Sequence, residues 1–528
     1  MTQWLLAILG VLFGLGGLVL LGERRYRHIR RDILNREGAC AVPARPSALR
    51  DLVKTLTPDN ARDAGHSGHD LLPDGPKALA ARLALIEAAA DTIDLQYYTW
   101  HSDLAGHLMA RHVIEAAGRG VRVRVLLDDL HASGTRTLVK TLAAHPQVTV
   151  RIYNASLTRR AYFLHWFFAF ARLNRRMHNK ALVVDDVVAI TGGRNIGNAY
   201  FGLAETMNFR DCDVLIAGPS AAAMGASVQQ YWDSDLAMPS SAFGVEERAG
   251  SAVIERHLKM LEEVIGAERL GNAGETDPGA VARVADLPSV RALLADLVWC
   301  PSSIVDDHPG IAGPDHRKVA RRIADLTAAA EQTLDIESGY LIPGRDGVRR
   351  FAALVDRRVR VRVTTNSFAT NDVLAAQAGY AKYRPALLDA GVAIHELKLN
   401  APVRRVASLL HGSITGSHRH DDVAASLHSK VMVIDDRLSV IGSYNLDPRS
   451  ALDNSEVVLL IHGSGFAERT AVFLEDGRSP SVAYRVTREG RRLFWHDGRT
   501  NRSQEPGITR PAAVLAAVIR YMPIERLL

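Results

Sequence analysis

Two short strings stand 250 residues apart and share every spacing. His178-Asn179-Lys180 is followed by four apolar residues and Asp185, and His428-Ser429-Lys430 by four apolar residues and Asp435. After six intervening residues each resumes, as Gly192-Gly193-Arg194-Asn195 and as Gly442-Ser443-Tyr444-Asn445. A single H-x-K arises by chance, and a single strand histidine is most often structural. Two copies with matched Asp, Gly and Asn positions are a far more specific signal. In an extended chain, side chains i and i+2 share a face, so each His points the same way as its Lys. Two such half-sites facing each other surround one anion with two imidazoles, two ammonium groups and two carboxamides. That set suits a phosphodiester. One neutral imidazole attacks phosphorus and one protonated imidazole donates to the leaving oxygen, both forms being accessible near neutrality. Lys180, Lys430, Asn195 and Asn445 would stabilise charge on the remaining oxygens, and the glycines would let backbone approach the ligand closely. No carboxylate cluster accompanies the histidines, so a reaction without metal or other cofactor is expected.

Each imidazole needs an acid to orient it. Glu456 follows His428 by 28 residues and opens an apolar strand, which makes it the expected partner of His428. Asp211 follows His178 by 33 residues, and either Asp211 or Asp213 is placed to hold the first imidazole, with Asp211 preferred. Asp185 and Asp435 lie seven residues beyond their histidines, roughly 20 Å along a strand and on its other face, so they are expected to fix the turn that follows.

The surrounding pattern supplies the elements that must carry these groups. Helical periodicity covers 76–90 and about 104–118, and strands are expected over 92–99 and 121–127. The same order returns as a helix over 317–332, a strand over 333–338, a helix near 346–357 and a strand over 359–365. The string VRVRV recurs at 121–125 and 359–363, in the same place in both runs. A duplication follows, each copy an α/β unit with a mainly parallel sheet flanked by helices. The expected division is an anchor with basic flank over 1–31, a polar tether over 32–72 and a first half over 73–239. A helical connector over 240–298, a second half over 299–474 and a C-terminal extension over 475–528 complete it.

At 528 residues with a formal charge of +6, the chain is multidomain and leans basic, which favours an anionic partner without naming it. Residues 4–21 are an uncharged apolar run followed by five arginines and one histidine within 24–31. Eighteen helical residues span about 27 Å, close to a bilayer's hydrocarbon thickness. The basic residues follow the run, and no small-residue cleavage site lies close behind it, so a retained transmembrane helix is expected rather than a cleaved signal peptide. The positive-inside rule then puts the body on the cytoplasmic side of the inner membrane. Residues 162–170 pack six aromatics into nine positions between Arg159, Arg160, Arg172, Arg175 and Arg176, which reads either as a buried helix or as an interfacial segment. Residues 511–522 read as a second interfacial helix, too short to span. Three scattered cysteines make neither a disulfide framework nor a zinc site.

The double H-x-K-x4-D string with G-G/S-x-N behind it resembles the phospholipase D superfamily. The segments at 72–98, 171–180, 192–201, 442–456 and 521–528 are similar to bacterial cardiolipin synthases, the type C subgroup above all. The resemblance implies two phospholipase D-type halves and a phosphohistidine intermediate. On this chain it makes His178 the nucleophile and His428 the acid and then the base. It also implies phospholipid substrates, phosphatidylglycerol with phosphatidylethanolamine as a second candidate, met at a membrane. One departure is Ser338-Gly339-Tyr340, where the family pattern has proline between serine and tyrosine. The expected activity is phosphatidyl transfer between phospholipids. The alternatives are hydrolysis of phospholipid by the same groups, hydrolysis of nucleic acid, and a non-catalytic lipid scaffold. The apolar and aromatic segments, and the lack of a separate basic, aromatic-interleaved segment, speak against nucleic acid. The intact motifs speak against the scaffold.

Overall fold

The computed structural model describes residues 45–131, 136–156, 170–245, 250–271, 287–310, 317–401 and 424–508, with isolated positions between 14 and 28. Among the described residues no helix is long and apolar enough to cross a membrane. The expected anchor over 4–21 lies outside them except at isolated positions, as do almost all of the aromatic segment 162–170 and the whole of 511–522.

The first half contributes β1 (Ser67–Leu72), β2 (Thr92–Tyr97), β3 (Arg122–Asp128), β4 (Val148–Tyr153), β5 (Ala181–Val184), β6 (Val188–Gly192), β7 (Met207–Arg210), β8 (Asp213–Ala217), β9 (Ala237–Pro239) and β10 (Val298–Cys300). The second contributes β11 (Ser302–Asp306), β12 (Thr333–Ser338), β13 (Arg360–Asn366), β14 (Ala393–Leu397), β15 (Ala424–Leu427), β16 (Lys430–Ile434), β17 (Leu438–Gly442), β18 (Val457–His462), β19 (Ala483–Glu489), β20 (Arg492–His496) and β21 (Asn501–Arg502). One sheet has nine strands in the order β10-β1-β8-β6-β5-β2-β3-β4-β9, and the other has ten in the order β11-β18-β17-β16-β12-β13-β14-β19-β20-β21. From β1 to β9 and from β11 to β19 the two orders correspond strand for strand, with the same sense of pairing at each step.

The sheets are mixed, which corrects the mainly parallel arrangement expected from the repeated strand–helix–strand rhythm. Within these two sheets, among the described residues, only β2–β3–β4 and β12–β13–β14 run parallel; the motif strands pair antiparallel. The reason is local. β5 and β6 are joined through Asp185 and Asp186, and β16 and β17 through Asp435 and Asp436, all four with φ between 51° and 56°. Two successive left-handed residues make the tight hairpin turn whose twist matches paired strands. The Asp185 carboxylate also accepts from the backbone N–H groups of Ala90, Asp91 and Thr92, and Asp435 from Glu331, Gln332 and Thr333, so each pins the start of the neighbouring strand.

Two stretches read as lying outside the halves supply strands. β1 falls in the expected tether, and β19–β21 of the C-terminal stretch extend the second sheet. The connector crosses from β10, on the first sheet, through Pro301 to β11, on the second. Its helix Ser251–Gly271 packs against the helix Leu104–Gly118.

The motif strands are buried on both faces, which is why they read as continuous apolar runs. Leu182 and Val184 enter the first half's core, whereas Ala181 and Val183 face a third core shared with Val431 and Val433 of β16 and Val457, Leu459 and Ile461 of β18. That shared core, completed by the helices Pro219–Asp233 and Ser464–Arg478, joins the two halves.

Candidate active site

Two short parallel pairings cross between the halves beside this shared core. β7 pairs with β15 in a two-stranded sheet, with Arg210 opposite Leu427, so the next residues, Asp211 and His428, come side by side. An isolated parallel bridge joins Met177 to Ser455, and the next residues there are His178 and Glu456. Backbone bonds reinforce both: His178 N–H donates to Ser455 O at 2.9 Å and His428 N–H to Arg210 O at 2.9 Å.

The register makes the acids cross over. His178 Nδ1 lies 2.9 Å from Glu456 Oε2, and His428 Nδ1 lies 2.7 Å from Asp211 Oδ2. The expectation that Asp211 holds His178 and that Glu456 holds His428 is therefore corrected. The types of acid were legible; the partners were exchanged, because sequence distance favoured pairing within a half. Asp213, the other candidate, is bound to Arg82 at 2.8 Å and to Arg194 at 3.3 Å. Both histidines also precede their strands, β5 and β16, rather than lying within them.

The second motif glycine serves the acid instead of a ligand. A Cβ on Gly193 would sit 2.1 Å from Asp211 Oδ1. The corresponding residue of the other half is Ser443, whose hydroxyl donates to Glu456 Oε2 at 2.5 Å. Asp307 holds the same segment by accepting the Glu456 backbone N–H at 3.0 Å. Ser443 and Asp307 were not picked out from the sequence, although Ser443 stood in the open as the one G-to-S difference between the motifs.

Lys180 folds back so that Nζ donates to its own motif's His178 O at 2.6 Å, and Lys430 makes the same bond to His428 O. Tyr98 meets the His178 ring edge-on at 5.2 Å, and Tyr200 and Phe209 lie 5.3 and 5.1 Å from the His428 ring. Nothing in the spacing of these aromatics announced them. The asparagines differ. Asn195 Nδ2 donates to the Tyr200 hydroxyl at 3.0 Å and its Oδ1 accepts from Thr99 N–H, so this amide braces the pocket wall. Asn445 is buried with its amide oxygen unpaired among the described residues.

Burial and like charge set the electrostatics. His178 is held well below the usual histidine value by burial and then by the charges of Lys180, Lys430 and Arg449. His428 is lowered to about 4 by burial and Lys430, against the pull of Asp211. Each ring thus feels the other half's lysine as well as its own, as one shared pocket requires. Burial brings Lys180 down to about 7 and also lowers Lys430. Burial lifts Glu456 to about 7; at Asp211 burial pushes the same way, but the His428 hydrogen bond and the surrounding positive charge, Lys430 and Arg194 included, leave the carboxyl lowered. Burial and the lysines thus favour the neutral form of both imidazoles. With each Nδ1 proton given to a carboxylate, each Nε2 keeps its lone pair.

The family described as cardiolipin synthase, PLD-like domain, matches residues 83–232 and 323–476, which bracket both motifs. The chain belongs to that family. Cardiolipin synthase C of Escherichia coli is 34% identical over 90% of this chain and 99% of its own length. Cardiolipin synthase A of Pseudomonas entomophila is 26% identical over 77% of this chain and 67% of its own. Among solved structures, phosphatidylserine synthase of Haemophilus influenzae superposes with a TM-score of 0.56 at 16% identity, covering 89% of this chain and 98% of that one, and so shares the fold. The duplicated sheets and paired motifs are thus those of a phospholipase D-like cardiolipin synthase family member.

Proposed function

We propose that this cardiolipin synthase family member transfers a phosphatidyl group from one phospholipid to the hydroxyl of another. The observation that carries the reading is the crossed His–acid pairing, which leaves two Nε2 lone pairs in one cationic pocket. His178 Nε2 attacks the donor's phosphorus. The P–N bond forms as the P–O bond to the headgroup alcohol breaks, and His428 gives that alcohol its proton. A second alcohol enters, His428 takes its proton, the new P–O bond forms and the P–N bond breaks, freeing His178. His428 must gain a proton before the first step. Burial and the lysines disfavour that proton, and the bound phosphodiester's negative charge offsets them, so protonation accompanies substrate binding. Lys180 and Lys430 stabilise the charge that develops on phosphorus oxygens. Asp211 and Glu456 fix tautomer and ring direction.

Lipid substrates put this chemistry at a bilayer surface, and the apolar run 4–21 is the segment we propose as its anchor. The test is purified full-length protein in vesicles of labelled phosphatidylglycerol, with and without phosphatidylethanolamine, in excess chelator. Cardiolipin is the expected product, and it should vanish in His178→Ala and His428→Ala. Phosphatidic acid alone would mean hydrolysis instead, and loss on chelation restored by one divalent metal would contradict the mechanism.

A further inference from the structure

The Ser338-Gly339-Tyr340 turn leads straight from β12 to the rim of the site. Gly339 donates its N–H to Ser429 O at 3.2 Å, and a Cβ there would lie 2.5 Å from Leu427 O and 3.1 Å from the His428 Cα. Proline in this place would lose that donor. Asn366 clamps the turn from the other side, donating to Gly339 O at 3.0 Å and to Leu427 O at 2.8 Å. Ser338 Oγ donates to Tyr340 O at 2.8 Å. Tyr340, the residue after this contact with the His428 backbone, is therefore held in place, and its hydroxyl donates to Asp372 Oδ1 at 2.8 Å.

Asp372 stands out among the carboxylates near the histidines. Asp211 and Glu456 are buried on the imidazoles, and Asp447 is buried and caps the helix Pro448–Leu452 through Ser450 N–H. Asp372 is exposed, and Tyr340 is its one hydrogen-bond partner among the described residues. Its charge nonetheless reaches Lys430 and Tyr200, the latter edge-on to the His428 ring. The loop that carries it is held rigid: Thr370 Oγ1 accepts from Ser367 N–H at 2.9 Å, Asn371 Oδ1 from Val373 N–H at 3.0 Å, and Gly507 packs tightly against Ala369. A carboxylate at the mouth of an anion pocket repels phosphate unless it has a donor to bind.

We propose that Asp372, aimed by Tyr340, is a specificity-determining residue that accepts a hydrogen bond from a hydroxyl or ammonium on the headgroup of a lipid substrate. The inference rests on the phosphatidyl-transfer reading and deepens it by naming the groups that select the alcohol. The headgroup donor is either the glycerol hydroxyl of phosphatidylglycerol or the ammonium of phosphatidylethanolamine, and the assay separates them.

The full-length protein, Asp372→Asn and Tyr340→Phe are compared in three reactions: phosphatidylglycerol vesicles, mixed phosphatidylglycerol–phosphatidylethanolamine vesicles, and hydrolysis of bis(4-nitrophenyl) phosphate, which has neither hydroxyl nor amine. Losing a charge-assisted hydrogen bond should lower lipid kcat/KM about tenfold or more in Asp372→Asn, mainly through KM, with a smaller loss in Tyr340→Phe. Hydrolysis of the simple diester should stay within about twofold of wild type. Loss in both vesicle reactions identifies the glycerol hydroxyl; loss only where phosphatidylethanolamine is present identifies the ammonium. Equal loss in all three reactions, or none in either vesicle reaction, overturns the proposal. A wild-type protein that cleaves the diester yet makes no lipid product overturns the transfer reading, and this proposal with it.

Discussion

The imidazole of each half is aimed by the carboxylate of the other, so neither motif is self-sufficient. This dependence predicts a specific pattern. Asp211→Asn should impair the step in which His428 moves the proton, and Glu456→Gln the attack by His178, each lowering turnover by about 10² to 10⁴ with the fold retained. Rapid-mixing assays separate the two: a donor with a good leaving group, which needs no proton, should rescue the first step in Asp211→Asn but not in Glu456→Gln. A second prediction follows from Lys180, whose ammonium burial brings down to about 7. A depressed lysine loses its charge as pH rises through that value, so kcat/KM should fall above neutrality. Lys180→Arg, which keeps its charge, should move that alkaline limb to higher pH in a pH–rate profile.

Strands decide which side chains meet. Residue types and spacing announced both histidines, both lysines and both acids, and the apolar tetrapeptides after each Lys announced β5 and β16. The exchange of acids was not legible, because it depends on β7 lying parallel to β15 and on the Met177–Ser455 bridge, contacts between segments more than 200 residues apart. The antiparallel sense was carried by Asp-Asp pairs in a left-handed conformation, a geometry usually signalled by Asn-Gly or Asp-Gly. β1 was missed because Ser67–Leu72 is too polar to read as a buried strand. Burial of β18 against the first half gives a test at this scale. Leu459, fully buried in the shared core, should cost about 2–5 kcal/mol of stability when cut to alanine. Chemical denaturation measures that loss, and a surviving fold should show reduced turnover because Glu456 begins the same segment.

At the level of the whole molecule, a duplicated fold has become one unit with one site. Arg210 shows how tightly the halves are joined: from the first half it reaches Glu337 at 3.3 Å and Asp476 at 3.0 Å in the second. The halves differ around their histidines, among other places, in Gly193 against Ser443 and in Asp211 against Glu456. The most direct measurement is to trap the covalent intermediate. Protein is mixed with phospholipid labelled in its phosphate, quenched in alkali within one turnover, digested and mapped. The label should sit on the peptide containing His178, be absent in His178→Ala, and accumulate in His428→Ala when the donor's leaving group needs no proton. Label on His428, or steady turnover with no labelled protein at any time, would contradict the account.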